Sequence, residues 1–296
     1  MNLRQLSYFI SIVEEGSFSR AAKLLHIAQP ALSQQLINLE VELGAKLLLR
    51  SVKGVTPTAT GKAVLRQAQL ILKQVETARL IASQAETGPA GPVKIGLPWT
   101  ISSRIGIELL VMVTSNCPAI QLEVIEGPSS FLANLLAKGS LDMAVLFDNS
   151  ADGGMIMTKI ATEPMLFVAP HGSLPDADAI ALSDVMSHKL LLLSRPNGVR
   201  ETLERIWKKE KMVPNVVAEI NSPHLLLLAV SKGLGGAILP KSAVQESINN
   251  GEVDGRMIED RRMVRHIYLS ISRLEDETEA AEHVHSILEE LIRQTF

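Results

Sequence analysis

The sequence predicts an α+β protein with a small helical head, one long helix and a larger body of alternating strands and helices. Three observations predict this organisation. Apolar residues recur at helical spacing in two short segments within the first 43 residues. A heptad stripe runs through residues 64–85, which contain no proline or glycine. After a Gly- and Pro-rich linker at residues 88–92, segments rich in Val, Ile and Leu alternate with helical ones.

The segment from Ser17 to Leu43 predicts two short helices that meet at a sharp turn. Pro30 is expected at the first position of the second helix, after Gln29, because that position needs no backbone N–H donor. At about 100° per residue, the face opposite the leucines has hydrogen-bonding side chains without formal charge. The expected buried positions are Phe18, Ala21, Ala22 and Leu25 in the first helix and Leu32, Leu36, Leu39 and Leu43 in the second, and the expected exposed face is Pro30, Ser33, Gln34, Ile37 and Asn38.

This uncharged polar face has the chemistry of a surface that reads DNA bases. Glutamine and asparagine can bond adenine at two atoms, and serine can donate or accept. The next segment, residues 47–58, places Arg50 and Lys53 around a turn at Gly54, which predicts a wing whose cations contact phosphates. The alternative is an ordinary helical bundle with a polar surface, and the helix-turn-helix pattern by itself favours the two about equally.

The distribution of charge favours the DNA-binding interpretation. Residues 1–87 contain ten basic and six acidic side chains, whereas the whole chain contains 29 basic and 32 acidic ones and has a net charge of −3. The first part therefore has a net charge of about +4 and the rest of about −7. A basic front end on an acidic body suits binding of DNA by one end, with an affinity that falls as the salt concentration rises.

Four motifs in the first 62 residues are typical of one protein family. They are LSYFISIVEEGSFSRAAKLL at residues 6–25, AQPALSQQ at 28–35, LEVELG at 39–44 and TPTATGK at 56–62. With these motifs the chain resembles the LysR-type transcriptional regulators. Its HIAQPALSQQ and GVTPT segments are similar to the nitrogen assimilation control subgroup.

The resemblance implies a winged helix-turn-helix domain at residues 1–58 that binds double-stranded DNA. Side chains of its second helix would enter the major groove, and cations of the wing would grip the backbone or the minor groove. Ser17 would cap the helix before the turn. Ser51 and Val52 stand where the family often has Arg or Lys, which lowers the contribution expected from the wing. The DNA-binding residues expected on these grounds are Gln29, Pro30, Ser33, Gln34 and Asn38 from the helix and Arg50 and Lys53 from the wing.

Residues 59–87 are predicted to form a linker helix roughly 40 Å long, because the repeat of apolar residues at steps of four and three is unbroken. Such a stripe is expected to pair with a second copy of the chain, and a dimer also suits a two-fold operator. The alternative is a helix that packs on its own domain, which Leu65 and Leu72 beside the stripe favour. The resemblance further implies a homotetramer, with RNA polymerase as a candidate partner. The stripe consists of Val64, Ala68, Ile71, Val75, Ala78, Ala82 and Ala85.

The body, residues 88–296, is predicted to contain mainly parallel sheets covered by helices, because strands and helices alternate regularly. The resemblance implies a two-lobed α/β effector domain like that of periplasmic binding proteins, with a ligand cleft at the hinge. Lobe I is expected at residues 92–162 and 266–296, and lobe II at 163–265. The expected strands are VKIGL, IQLEVIE, DMAVLF, PMLFVA, KLLLLS, NVVAEI and GGAILP.

Ligands of alternating folds bind beyond the carboxyl ends of the strands, near helix N-termini whose free N–H groups favour anions. These junctions carry hydroxyl groups and an arginine, which predicts a small carboxylate or similar anionic effector. Each serine or threonine taken singly is more commonly a helix cap, and some members of the family act without a known effector. The expected effector-binding residues are Thr100, Ser102, Ser103, Ser129, Arg195, Asn197 and Ser222.

The sequence argues against an enzyme. Its seven histidines are scattered, and it has no GxSxG, HExxH or P-loop motif, so that no catalytic residue, metal or cofactor is expected. A solute-binding protein without a DNA function is the stronger alternative, but residues 1–25 read as two helices where such a protein would carry a secretion signal. The single cysteine, Cys117, and the lack of a long apolar run predict a cytoplasmic protein without a membrane span. The family resemblance further implies a bacterial protein.

Overall fold

The N-terminal head packs three helices around one apolar core, with Phe9, Ile12, Leu32 and Leu39 fully buried at its centre. A short antiparallel wing and the start of a long helix complete it. The computed structural model describes residues 1–51, 54–83, 88–147, 155–272 and 278–296. The elements of the head are α1 (Leu3–Glu15), α2 (Phe18–Leu24), α3 (Gln29–Leu43), β1 (Leu48–Ser51), β2 (Gly54–Pro57) and α4 (Ala59–Ser83).

Helix α3 differs from its prediction at both ends. It begins at Gln29, so that Pro30 is its second residue and not its first. Proline is tolerated at this position too, because the first four backbone amides of a helix have no acceptor within the helix and a missing N–H costs no hydrogen bond there. At the other end the predicted burial of Leu43 is wrong, because this side chain is 38% exposed whereas Glu40 is buried. The last turn of α3 extends past the core of the head, and Glu40 is covered by the segment that leads into the wing.

Helix α4 packs its first half on its own head. Ala68 is 1% exposed, and Val64 and Ile71 are half-buried against the core of the head, because α1 lies along α4. The two leucines beside the stripe pack on the same core, as the alternative of a helix on its own domain predicts. The first part of the stripe is therefore already covered within one chain, and the prediction for residues 84–87 lies outside the described residues.

The body consists of two α/β lobes, each with its own apolar core. None of the described helices of the protein is long and apolar enough to cross a membrane. The elements of the body are β3 (Gly91–Leu97), α5 (Trp99–Asn116), β4 (Ile120–Glu126), α6 (Ser129–Ala137), β5 (Met143–Phe147), β6 (Met155–Pro170), β7 (Ala179–Ile180), α7 (Leu182–Val185), β8 (Lys189–Leu193), α8 (Gly198–Glu210), β9 (Asn215–Ile220), α9 (Pro223–Ser231), β10 (Ala237–Pro240), α10 (Lys241–Asn249), β11 (Val253–Ile258), β12 (Val264–Ser272) and α11 (Glu279–Thr295).

In lobe I the described strands follow the order β4-β3-β5-β12-β6. Strand β3 is parallel to both of its neighbours, but β12 is antiparallel to β5 and to β6. The sheet is therefore mixed where a mainly parallel one was predicted, because the chain reverses its direction when it leaves for the other lobe and when it returns. Helices α5 and α11 pack together over one face of this sheet and close the core.

Strand β6 continues into lobe II. Its first half pairs with β12, and its second half, residues 165–170, pairs with β10 on one side and β11 on the other. The predicted strand at residues 164–169 is thus only the end of a longer element. The chain leaves lobe I within β6 and returns between β11 and β12, where Met165 N donates to Met263 O at 2.9 Å. These neighbouring segments form the hinge.

Candidate functional site

The outward face of α3 presents polar side chains to solvent. Gln29, Pro30, Gln34 and Asn38 are exposed and Ser33 is half-buried, while the leucines of the opposite face lie in the core. The Nε2 of Gln34 donates to Oδ1 of Asn38 at 3.0 Å. All five side chains predicted to read DNA from this helix are therefore on one surface, and none of them carries a charge.

Arg50 lies on wing strand β1 and connects the wing to two helices. Its Nη2 donates to Ser33 Oγ at 3.0 Å, and its Cζ lies 4.2 Å from the centroid of the Phe18 ring, which is cation–π distance. The guanidinium is thereby held beside the outward face of α3. Lys53, the other wing cation expected to contact DNA, lies outside the described residues.

Glu40 holds the segment between α3 and the wing. Its carboxylate accepts hydrogen bonds from the backbone amides of Leu47 at 2.8 Å and Leu48 at 3.3 Å, and from Lys46 Nζ at 2.7 Å. Burial acts to raise the pKa of Glu40, but the bonds from Lys46 and the two amides outweigh it and hold the pKa below the ordinary value of 4.5. The wing is therefore anchored to the helix whose face it flanks.

The tip of the wing is docked on the turn between α1 and α2. Val55 N donates to Gly16 O at 2.9 Å, and Gly54 has a φ of +121°. A Cβ at Gly54 would lie 2.7 Å from the same carbonyl oxygen, which is closer than side-chain carbons are found. Glycine is required here both for the backbone conformation and for the close approach.

A cavity of about 850 Å³ opens between the two lobes of the body. The first turns of α5 and α6 wall it from lobe I, and the segment before α8 and the first turn of α9 wall it from lobe II. The cavity thus lies beyond the carboxyl ends of the strands, as the sequence predicts. The effector-binding residues predicted from the sequence that line it are Thr100, Ser129, Arg195, Asn197 and Ser222.

Ser102 and Ser103 lie elsewhere on α5, and the cavity wall, as far as the described residues form it, does not include them. Ser102 Oγ donates to Glu126 Oε2 at 2.5 Å and also has Trp99 O within 3.1 Å, and Ser103 is exposed on the helix surface. At about 100° per residue, Ser102 lies about 200° around the helix from Thr100, whereas Ser103 lies within about 60° of it but nearly one turn further along α5.

Several of the cavity hydroxyl and amide groups also hold local structure. Asn197 caps α8 by accepting from the amides of Val199 at 3.0 Å and Arg200 at 3.3 Å, and Ser222 caps α9 in the same way. Ser129 Oγ accepts from the amide of Phe147 at 3.1 Å. Asn197 and Ser222 are therefore helix caps, as the alternative interpretation of these residues predicts, and both also line the cavity.

The first turns of α5 and α6 are open to a ligand. Each helix follows a proline, Pro98 or Pro128, and within the described residues no side chain caps either of them. The amides at the starts of these helices therefore offer donors and the positive end of a helix dipole to the cavity.

The charges of the cavity are only partly balanced. Arg195 bonds to Glu204, with Nε to Oε1 at 3.1 Å, and the hydrogen bonds from Arg195 and Arg200 lower the pKa of Glu204. Glu126 and Glu201 also line the cavity, and neither forms an ion pair with another part of the described chain. A purely anionic ligand would therefore meet two carboxylates.

Sequence reasoning missed the deepest charged group of the cavity, Arg265 at the start of β12. It is 4% exposed, lines the cavity and pairs with Glu163 of β6, with Nε to Oε1 at 2.8 Å. These residues are 102 positions apart, and only the pairing of β6 with β12 brings them opposite each other. The available signal was a charged side chain within the apolar strand segment VRHIYLSIS.

Two family models match the chain. One, described as bacterial regulatory helix-turn-helix protein of the lysR family, matches residues 3–62, and the other, LysR substrate binding domain, matches residues 86–293. The chain belongs to the LysR family. The expected family and fold class are thereby confirmed, with the winged helix-turn-helix in the head and the effector-binding fold in the body.

Curated relatives and solved structures agree with this assignment. The nitrogen assimilation regulatory protein nac of Klebsiella aerogenes is 36% identical over 83% of this chain and 80% of its own, and that of Escherichia coli (strain K12) is 36% identical over 87% and 83%. A full-length OxyR variant from Pseudomonas aeruginosa has a TM-score of 0.74 at 26% identity and covers 100% of this chain and 95% of its own. CbnR in complex with its target DNA has a TM-score of 0.56 at 23% identity, covers 100% and 99%, and shares the fold.

This LysR-type protein is a DNA-binding transcriptional regulator with an effector-binding domain. The alternative of a solute-binding protein without a DNA function is not supported, because the helix-turn-helix model matches the head and the curated relatives are regulators. Across the described residues, no group of His, Cys, Asp and Glu side chains is arranged to hold a metal ion.

Proposed function

We propose that the regulator reads its operator through the outward face of α3. The observation that carries this proposal is the exposure of uncharged polar side chains opposite a buried leucine stripe, since amide and hydroxyl groups are suited to base edges. The residues proposed are Gln29, Pro30, Ser33, Gln34 and Asn38, with Arg50 and Lys53 of the wing on the DNA backbone or the minor groove.

The test compares the protein and its variants on two DNA duplexes by fluorescence anisotropy. One duplex is selected from a random library by the full-length protein, and the other has the same composition in shuffled order. Gln34→Ala is expected to reduce discrimination between them by roughly 1–3 kcal/mol. Gln74→Ala is the matched control, an exposed glutamine on α4, and should change neither affinity. An equal loss on both duplexes for Gln34→Ala would contradict base reading by this residue.

We infer that the interlobe cavity binds a small effector that carries a carboxylate and a cationic group. The carboxylate would face the uncapped N-termini of α5 and α6, where Thr100 and Ser129 lie. The cationic group would face Glu126 or Glu201, which line the same cavity without an ion-pair partner in the described chain. An α-amino acid or a related zwitterion has this combination of groups.

A thermal-shift screen tests the effector proposal. It compares amino acids with the same acids lacking the amino group, on the full-length protein and on Glu126→Gln. Stabilisation by one or more zwitterions, with a smaller effect of the matched acids, is expected, and Glu126→Gln should reduce the preference. Stabilisation by none of the compounds, or equal stabilisation by both members of every pair, would count against this ligand class.

We also propose that the protein acts as a homodimer or homotetramer on the chromosome in the cytoplasm. A partly palindromic operator presents two half-sites, and two reading helices related by a two-fold axis match them. The part of α4 beyond Ile71 is the proposed contact, because Val75 and Ala78 continue the stripe past the head. Light scattering after gel filtration tests this, and a monomeric mass at micromolar concentration would exclude it.

A further inference from the structure

A buried polar cluster lies where the cavity meets the hinge. Arg265 and Glu163 face each other across the β6–β12 ladder, at the point where the chain passes between the lobes. Their side chains are about as buried as those of the apolar core, at 4% and 2% exposure for the residues. Charges at such depth stay paired, since separating them would leave both without solvent.

The guanidinium of Arg265 also reaches one helix from each lobe. Its Nη2, which also donates to Glu163 Oε1, lies 2.9 Å from Thr100 Oγ1 in the first turn of α5 and 3.4 Å from Ser242 Oγ in the first turn of α10, so that its two hydrogens are shared among three acceptors. The amide of Ser242 donates in turn to Glu163 Oε2 at 3.1 Å. We call these four side chains, Arg265, Glu163, Thr100 and Ser242, the interlobe clasp.

The clasp is held in place from lobe I by an aromatic ring. The Cζ of Arg265 lies 3.6 Å from the centroid of Phe147, the last residue of β5, so that the guanidinium stacks on the ring face. This contact and the ion pair fix the position of Arg265. The bonds to the two neutral hydroxyls are weaker than the ion pair and can be exchanged at lower cost.

Two members of the clasp, Arg265 and Thr100, are also walls of the cavity. We propose that the clasp couples occupancy of the cavity to the relative position of the lobes, with the Thr100 hydroxyl as the point of exchange. A ligand acceptor at the start of α5 takes the bond from Arg265 Nη2 that Thr100 accepts in this structure. Helix α5 of lobe I then loses its hydrogen bond to Arg265. Helix α10 of lobe II keeps its bond to the ion pair, because the amide of Ser242 still donates to Glu163.

The coupling follows from the connectivity of the clasp. The N-terminal turn of α5 belongs to lobe I and that of α10 to lobe II, and Arg265 bonds to both through one nitrogen. A ligand that changes one of these bonds changes the free energy of one lobe arrangement relative to another, which is what a population shift requires. This step rests on the proposed effector function, but the clasp itself can be tested without a ligand.

The experiment measures the distance between the lobes in the full-length protein. Spin labels are placed on Glu108→Cys of α5 and Lys208→Cys of α8, both exposed positions, with the buried Cys117 replaced by alanine. Pulsed dipolar spectroscopy then gives the distribution of distances between the labels. The test variants, which leave the ion pair intact, are Thr100→Val, which keeps the shape of the side chain but not the hydroxyl, and Ser242→Ala.

Each test variant is expected to shift or broaden the distance distribution relative to the unchanged clasp. The matched control is Ser130→Ala, a hydroxyl that lines the cavity and has no side-chain hydrogen bond to the clasp in the described structure. Its distribution should superimpose on that of the parent. Superimposable distributions for Thr100→Val and Ser242→Ala, with unchanged melting temperatures, would overturn the proposal.

A second measurement separates failure of the clasp from failure of the effector function. If the thermal-shift screen yields a zwitterion that stabilises the parent protein, that compound is added to the labelled samples. It should move the parent distribution toward that of Thr100→Val and should move the Thr100→Val distribution little. An equal shift in both proteins would overturn the role of Thr100 while leaving the effector proposal intact. A screen in which no compound stabilises the protein would overturn the effector proposal. The distances measured without ligand would still test whether the clasp sets the relative position of the lobes.

Discussion

Removal of the Glu40 carboxylate should release the wing from α3. Glu40 is the one acceptor that the structure gives for the amides of Leu47 and Leu48 in the described residues, and Leu47 is fully buried. In Glu40→Ala both amides lose this acceptor while the apolar core of the head is unchanged. The wing should then open more often, although the rest of the head stays folded.

The magnitude follows from the geometry of these two bonds. A buried donor that loses its acceptor costs about 1–3 kcal/mol. The bond to Leu47 is short, at 2.8 Å, whereas the bond to Leu48 is long, at 3.3 Å, so that the second contributes less. We therefore expect a total of about 2–3 kcal/mol for local opening, which corresponds to a 30- to 150-fold change, roughly, at 1.4 kcal/mol for each factor of ten.

Hydrogen–deuterium exchange of the full-length protein measures this opening directly. Exchange in the segment 46–58 should be faster in Glu40→Ala by that factor, while peptides from α1 and α2 keep their protection. Glu42→Ala is the control, because Glu42 is an exposed glutamate of the same helix whose ion pair is with the N-terminal amine of Met1. Unchanged exchange in Glu40→Ala, or the same acceleration in Glu42→Ala, would refute the anchoring role.

Two further predictions concern the same head. Because the pKa of Glu40 is lowered, the stability that its carboxylate gives to the wing is complete above the ordinary pKa of 4.5 and is lost as the pH falls through the lowered pKa. The difference in wing protection between the parent and Glu40→Gln should therefore be constant above about pH 5.5 and shrink on acidification; a difference that grows toward low pH would contradict the assignment. Gly54→Ala should weaken binding to the selected duplex by roughly 5- to 30-fold, because a side chain at this φ costs about 1–2 kcal/mol before the clash with Gly16 is counted. Binding equal to that of the parent would show that the wing tip can move without cost.

Local periodicity was sufficient to predict which face of α3 is exposed. The leucines at 32, 36 and 39 repeat at helical steps, and their burial turns Gln34 and Asn38 outward whatever the rest of the chain does. The prediction failed at Leu43, because the end of a helical stripe is buried only if another segment covers it. The wing covers Glu40 instead, and periodicity carries no information on where a later segment will lie.

The candidate effector site was also predicted only in part. Residues at strand-to-helix junctions could be predicted to meet in one cleft, because the carboxyl ends of neighbouring parallel strands lie at one edge of a sheet. The partners of each group could not be predicted. Arg195 faces Glu204, nine positions away on the next helix, and Ser102 turns from the cavity to Glu126. Such pairings depend on distances between side chains in the folded protein, which the spacing of residues along the sequence does not give.

The amino-acid sequence by itself determined the class of the protein, the polar face of α3 and the alternation of elements in the body, since all three depend on residues close together in the chain. The tertiary structure decided which groups meet at the hinge. Arg265 and Glu163 are opposite each other only because β6 and β12 run antiparallel there, and Thr100 and Ser242 join them from different lobes. The physical reason is that a buried charge selects its partner by three-dimensional proximity after the strands have paired, whereas helical and strand periodicity act before that step.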